Sequence, residues 1–116
     1  MAQLIRTIIR PEKLDDVQDA LAGLCVSGMT VTQVHGRGDR RGERRVHRGR
    51  EYTVHLTPRM QLEVVVNEES TEEAVGAIMR AARTGRPGDG MVFVSQVCET
   101  FRIRTGIKES GDLATG

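Results

Sequence analysis

The residues of this chain that could do chemistry gather towards its end. Thr84-Gly85-Arg86-Pro87-Gly88-Asp89-Gly90 runs into the apolar Met91-Val92-Phe93-Val94, and Arg102-Ile103-Arg104-Thr105-Gly106 follows. Glycines at 88 and 90 leave a backbone that a ligand can approach closely, because no side chain stands in the way. Successive N–H groups in such a turn can form a concavity for an anion. Arg102 and Arg104 lie two apart, so on a strand both would project from one face. Their planar guanidinium forks match phosphate oxygens. A turn of phosphate size and two cations thus share one short stretch. The same Gly-Asp-Gly is also an ordinary turn before a strand.

Elsewhere the side chains exclude more than they suggest. No Ser/His/Asp set, Cys/His couple or carboxylate dyad has a supporting context, which argues against an enzyme. His35, His47 and His55 share no metal-ligand spacing, so no metal site is expected. The only cysteines, Cys25 and Cys98, form no disulfide framework and read as small core residues in a reducing compartment. The N-terminal Met1-Ala2-Gln3-Leu4-Ile5-Arg6 lacks the pattern of a signal peptide, and no apolar run reaches membrane-spanning length. A cytoplasmic protein is expected.

The charge is unevenly spread. From Gly36 to Arg50 the chain holds seven arginines against Asp39 and Glu43, with four glycines, a net +5. Since the whole chain has a formal net charge of +1, the rest carries −4. Without apolar periodicity this segment reads as a basic, mobile loop. Its arginines could meet nucleic-acid phosphates. It lacks interleaved aromatics for stacking, however, and the net negative body does not support that partner.

The 116 residues are expected to make one domain, residues 1–116, whose core must come from Val, Ile, Leu and Met because aromatics are only 3%. Leu4 to Arg10 reads as a strand. Pro11 suits the first position of a helix, whose inner face is Leu14, Val17, Leu21 and Leu24, and Gly28 closes that region. Met29 to His35 is a second strand. Tyr52, Val54, Leu56, Met60, Leu62, Val64 and Val66 all occupy even positions, which predicts one long half-buried strand interrupted by a bulge or edge position at Pro58. Ser70 with Glu73 forms a capping-box pattern for a second helix with Ala74, Ile78, Ala81 and Ala82 inward, stopped by Gly85. Met91 to Cys98 is a further strand, Phe101 to Thr105 continues it or makes a short one, and the tail from about residue 107 reads as loose.

The order strand-helix-strand-strand-helix-strand is that of a ferredoxin-like α+β fold, βαββαβ. Its sheet carries helices on one face and needs cover on the other, which a cyclic homotrimer would provide. The connection between strands two and three is far longer than a usual hairpin loop, as suits a segment kept for binding.

In these blocks the chain resembles the PII signal-transduction proteins, trimeric regulators of nitrogen metabolism. The similarity runs through Ile8-Ile9-Arg10-Pro11, Lys13-Leu14-Asp15-Asp16-Val17, Gly28-Met29-Thr30-Val31-Thr32, Arg48-Gly49-x-Glu51-Tyr52, Glu63-Val64-Val65-Val66, the Thr84 to Gly90 turn and Arg102 to Gly106. It implies a non-enzymatic homotrimer with an adenine nucleotide (ADP, AMP or ATP) in each cleft between subunits. It also implies a T-loop, here about residues 37–51, that docks onto metabolic enzymes, regulators or transporters, the last drawing the protein to a membrane. Thr30, Glu63 and Val65 match positions around adenine and ribose. Gly38, Asp39 and Arg40 fall beside the phosphates, with Gly88, Asp89, Gly90 and Met91 forming the phosphate turn. Arg102 and Arg104 match arginines that reach phosphate across the subunit boundary. Tyr52 matches a tyrosine that some relatives modify, and Arg59 a lysine that helps hold 2-oxoglutarate.

The chain departs from the family pattern at three places. Arg40 replaces a glutamine whose oxygen helps complete a magnesium site, and arginine has no acceptor to offer a metal. Met91 replaces a lysine on the outer phosphates. His47 and Arg50 replace a tyrosine and a small residue. These changes favour ADP or AMP and open a second reading, in which Arg40 receives a small anion such as bicarbonate and the protein regulates inorganic-carbon metabolism.

Overall fold

The computed structural model describes residues 1–24, 26, 28–37, 43–47, 50–54 and 56–109, with backbone alone for 43–47 and 50–54. Alternation sets the first strand, β1 (Ala2–Ile9): Ile5, Thr7 and Ile9 are buried, while Arg6 is exposed. A 3-10 turn over Pro11–Lys13 leads into α1 (Leu14–Ala22), which buries Val17 and Leu21, one turn apart. β2 (Met29–Gly36) follows, then β3 (Glu43–His47), β4 (Arg50–Val54) and the long β5 (Thr57–Asn67). Helix α2 (Thr71–Ala82) buries Ala74, Ala77, Ile78 and Ala82, and β6 (Met91–Gln96) completes the main sheet. The short strands β7 (Thr100–Phe101) and β8 (Lys108–Glu109) form a terminal hairpin.

The four main strands are antiparallel in the order β2-β5-β1-β6. This is the expected ferredoxin-like α+β sheet. Ile5, Ile9, Leu62, Val64 and Val66 face Val17, Leu21, Ala74, Ile78 and Ala82 in one cluster, so both helices cover the same sheet face. Burying these side chains supplies the main driving force, at about 1.5–3 kcal/mol for each large aliphatic. Thr7 is the one buried polar residue among those described, and its hydroxyl donates to the Met91 carbonyl at 3.0 Å. The opposite face carries Leu4, Arg6, Ile8, Glu63, Val65 and Phe93, placed there by the pairings Leu4 with Val65, Arg6 with Glu63 and Arg6 with Phe93. None of the described helices is long and apolar enough to cross a membrane.

Several expectations are corrected. The even-numbered alternation from Tyr52 to Val66 spans two strands of different sheets: β4 pairs with β3 from Glu43–Val54 to His47–Arg50, while β5 pairs with β1 and β2. Period 2 records the pleat but not which neighbour the backbone bonds to. For the same reason the basic segment, expected to be all loop, contains a two-stranded ladder, because backbone hydrogen bonds need no apolar face. Pro58 lies opposite His35 on β2, whereas pairing with β1 begins only at Met60. Its missing N–H therefore costs no bond on the β1 side.

Ser70 closes a 3-10 turn with αR backbone and makes no side-chain cap hydrogen bond, so the capping box is not formed. The helix start is tied instead by the Thr71 hydroxyl, which donates to Gln3 Oε1 at 2.6 Å. Helix α2 ends at Ala82, with the Arg83 N–H on the Met79 carbonyl, three residues before Gly85. Cys98 is exposed rather than a core residue, because β6 ends at Gln96, ahead of it. Residues 102–106 form a turn and not a strand, so Arg102 and Arg104 share no strand face. Within the tail expected to be loose, Lys108 and Glu109 are held by the pairing of β7 with β8. Cys25 and His55 lie outside the described residues.

Candidate functional site

The turn before β6 is built around one carboxylate. Asp89 Oδ2 accepts the N–H groups of Thr84 and Gly85, both at 2.9 Å. Its Oδ1 accepts the Thr84 hydroxyl and, at 3.1 Å, Arg10 Nε from the end of β1. Arg10 Nη2 also donates to the Pro87 carbonyl at 2.8 Å. The Thr84 hydroxyl first, then its N–H, with Gly85 and Arg10 adding to them, hold the Asp89 carboxyl well below the usual carboxylate range, against a smaller opposing effect of desolvation. Asp89 is therefore turned into the loop as its pin, with its negative charge offset by Arg10.

This arrangement leaves the outer surface of the turn to its backbone. The N–H groups of Thr84, Gly85 and Arg86 are used internally. Those of Gly88, Asp89 and Gly90 have no acceptor among the described residues. Arg59 lies beside them: a Cβ placed on Gly88 would stand 3.1 Å from Arg59 Nη2 and 3.4 Å from Arg10 Nη2. Arg59 reaches the turn because β5 runs on past the end of β1, and its Nη1 donates to the Pro58 carbonyl at 2.8 Å. Gly90, with φ +106°, passes so close to β1 that a Cβ would overlap the Ile8 carbonyl. Together these groups can hold an anion with backbone donors and a guanidinium.

Thr30, Glu63 and Val65 come together elsewhere, around a shallow hollow of about 390 Å³ also lined by Leu4, Gly28 and Met29. Thr30 is directly opposite Glu63 in the β2–β5 ladder. The Glu63 carboxylate is oriented by its neighbours: Arg6 Nη2 approaches Oε2 at 3.3 Å and Gln61 Nε2 donates to Oε1 at 3.2 Å. One apolar wall and one fixed acceptor suit a flat heteroaromatic ring with donor groups.

Arg102 and Arg104 lie in the turn of the terminal hairpin. Arg102 Nε donates to Glu109 Oε1 at 2.6 Å, whereas Arg104 is exposed and has no acidic partner among the described residues. Met91 is 63% exposed at the head of β6, opposite Ile8. Tyr52 is opposite Arg45 in the β3–β4 ladder, and its side chain lies outside the described residues, as do Gly38, Asp39 and Arg40. The described residues contain no group of three His, Cys, Asp or Glu able to hold a metal. Arginine at position 40 offers no oxygen to one either, so no step is assigned to magnesium.

One chain does not bring the two half-sites together. The hollow is lined from β2, β5 and β1 around Thr30 and Glu63, whereas the anion turn lies against Arg59 and Ile8, with Arg59 four residues along β5 from Glu63. Four residues of extended strand separate Glu63 from Arg59 by roughly 13 Å. Sequence reasoning missed Arg10, Arg6 and Glu109 as site residues, since side-chain bonds between distant elements leave no spacing rule in the chain.

Comparison with known proteins adds independent findings. A family model described as Nitrogen regulatory protein P-II matches residues 2–107. Nitrogen regulatory protein P-II 1 of Methanothermobacter thermautotrophicus is 52% identical over 102 residues, covering 88% of this chain and 89% of that one. Nitrogen regulatory protein P-II of Bradyrhizobium diazoefficiens is 47% identical over 107 residues, 92% of this chain and 94% of its own. Nitrogen regulatory protein P-II 1 of Escherichia coli K12 is 46% identical over 102 residues, 88% and 91% of the two chains.

Proposed function

The chain belongs to the nitrogen regulatory protein P-II family, signal-transduction regulators rather than enzymes, and from that premise we propose that it works as a cytoplasmic homotrimer binding adenine nucleotides between subunits. In this reading, Thr30, Glu63 and Val65 of one copy receive the base and ribose. The Gly88-Asp89-Gly90 turn and Met91 of the next copy receive the phosphates, which Arg102 and Arg104 reach across the subunit boundary. Gly38, Asp39 and Arg40 complete the phosphate end. Arg59, with Arg40, takes the small anionic effector, and the segment from about 37 to 51 carries the state of the cleft to a metabolic enzyme or transporter.

The observation that carries this reading is the separation, within one chain, of two complementary half-sites: the hollow at Thr30, Glu63 and Val65 and the turn beside Arg59. Neither encloses a nucleotide alone, and a neighbouring copy turned about a cyclic axis would bring the turn of one copy to the hollow of the next. The open face also exposes Phe93 and Met91, which association would cover. Nothing among the described residues favours bicarbonate over 2-oxoglutarate as the anion. Light scattering combined with calorimetry against ATP, ADP and AMP tests the proposal. A trimer with up to three equivalent sites is expected, and a stable monomer at micromolar concentration would remove the cleft.

A further inference from the structure

Glu109 holds Arg102 from within the same hairpin. Its Oε1 accepts from Arg102 Nε at 2.6 Å, with the arginine side chain 32% and the glutamate side chain 19% exposed. The backbone fixes both partners. Glu109 pairs with Thr100 and Lys108 with Phe101. The Arg102 N–H donates to the Ile107 carbonyl at 3.0 Å, and the Gly106 N–H to the Arg102 carbonyl at 2.8 Å. Lys108 Nζ meets Glu99 Oε1 at 3.2 Å, a second ion pair on the same hairpin.

We propose that Glu109 is a built-in competitor for the phosphate that Arg102 binds, and so sets the nucleotide affinity of the cleft. The inference rests on Arg102 being a phosphate residue. A carboxylate at hydrogen-bond distance takes a guanidinium N–H and offsets the charge that a second anion would meet. Binding of phosphate at Arg102 must therefore displace Glu109 or tolerate it nearby. Arg104 carries no such counter-charge among the described residues, so the hairpin presents one muted and one unmuted arginine.

The test is calorimetry with ATP on the full assembled chain. Glu109→Gln keeps the shape and removes the charge, and Glu109→Ala removes both. Each is expected to bind ATP about two- to fivefold more tightly, the range of a partly exposed ion pair. In an Arg102→Ala background, Glu109→Gln is expected to change nothing, because the competition acts through that arginine. Tightening that persists without Arg102 would be a general charge effect and would overturn the proposal. Weaker binding by Glu109→Ala would do the same, since it would make Glu109 a support for Arg102. Unchanged affinity in both variants overturns this inference alone. Absence of ATP binding by every one of these proteins overturns it together with the nucleotide reading.

Discussion

Arg10 and Asp89 are 79 positions apart in the chain and 3.1 Å apart in the fold, Nε to Oδ1. The pair joins the end of β1 to the turn before β6. It is only partly exposed, at 13% for the Arg10 side chain and 25% for Asp89. Because Asp89 also collects the N–H groups of Thr84 and Gly85, one carboxylate decides the shape of the anion turn.

The first prediction concerns this carboxylate and pH. Its native pKa is depressed from an ordinary value of 3.8, so the native state binds its proton more weakly than the unfolded chain does. Its stabilisation is therefore fully present above 3.8, falls as the unfolded chain takes up the proton, and is lost as pH passes below the native value. Urea unfolding of the unmodified protein and of Asp89→Asn should show a constant stability difference from neutral pH to about pH 5, narrowing below about pH 4. A gap that widened on acidification would contradict the sign.

The second prediction separates two glycines. Gly90→Ala meets both a positive φ and the Ile8 carbonyl, whereas Gly85→Ala meets only a positive φ of 86° in open space. Gly85→Ala should cost about 1–2 kcal/mol. Gly90→Ala should cost more, about 3 kcal/mol or above, because the β1–β6 pairing must also shift. Denaturant midpoints of the two variants give the order directly.

These two turn residues also show what the sequence could and could not reveal. Gly88-Asp89-Gly90 is legible as a turn because glycine permits φ values that other residues resist. Which way Asp89 faces is not legible, since Arg10 and Thr84 have no fixed offset from it. The inner faces of β5 and α2 were readable from Leu62, Val64, Val66 and from Ala74, Ile78, because a sheet covered on one side imposes period 2 and a packed helix period 3.6. The β3–β4 ladder was not, for Glu43 to His47 is charged or polar apart from Val46 and backbone pairing leaves no apolar trace.

A third prediction addresses the open face. Phe93 is 46% exposed and stands opposite Arg6 near the middle of β6. If three such faces meet, Phe93→Glu places like charges at the shared axis and should shift the assembly towards monomer, while circular dichroism stays unchanged because the helix-covered core is untouched. Loss of nucleotide binding should accompany dissociation. A variant that remains trimeric at micromolar concentration would place the interface elsewhere.

The fourth prediction concerns the hairpin arginines. Arg104→Ala and Arg102→Ala should each weaken ATP binding, by about 1.5–3 kcal/mol where a charge-assisted hydrogen bond is lost. The Arg102 loss should be the smaller, since Glu109 already offsets part of its charge. Equal and negligible effects in intact trimers would move the phosphate site away from the hairpin.

The last prediction follows from Met91. Its side chain is largely exposed at the head of β6 beside the anion turn, and in the proposed cleft a cation there would lie beside the outer phosphates. A thioether supplies no charge and only a weak acceptor, so extra phosphates gain little here. ADP or AMP should therefore bind at least as well as ATP. Arg40 opposes this if its guanidinium reaches the γ-phosphate, which is why the comparison must be made in two backgrounds. Met91→Lys should raise ATP affinity more than AMP affinity, by about 1 kcal/mol or more for a partly exposed cation on the outer phosphate. Met91→Lys with Arg40→Gln should in addition restore a synergy between magnesium-ATP and 2-oxoglutarate, because the glutamine oxygen can meet a metal that arginine repels. Calorimetry of all three nucleotides, with and without 2-oxoglutarate, reads both effects. Strong magnesium-dependent synergy in the unmodified protein would show that Arg40 and Met91 do not govern ligand choice, and the discrimination would then have to lie in Arg59 and the backbone of the turn.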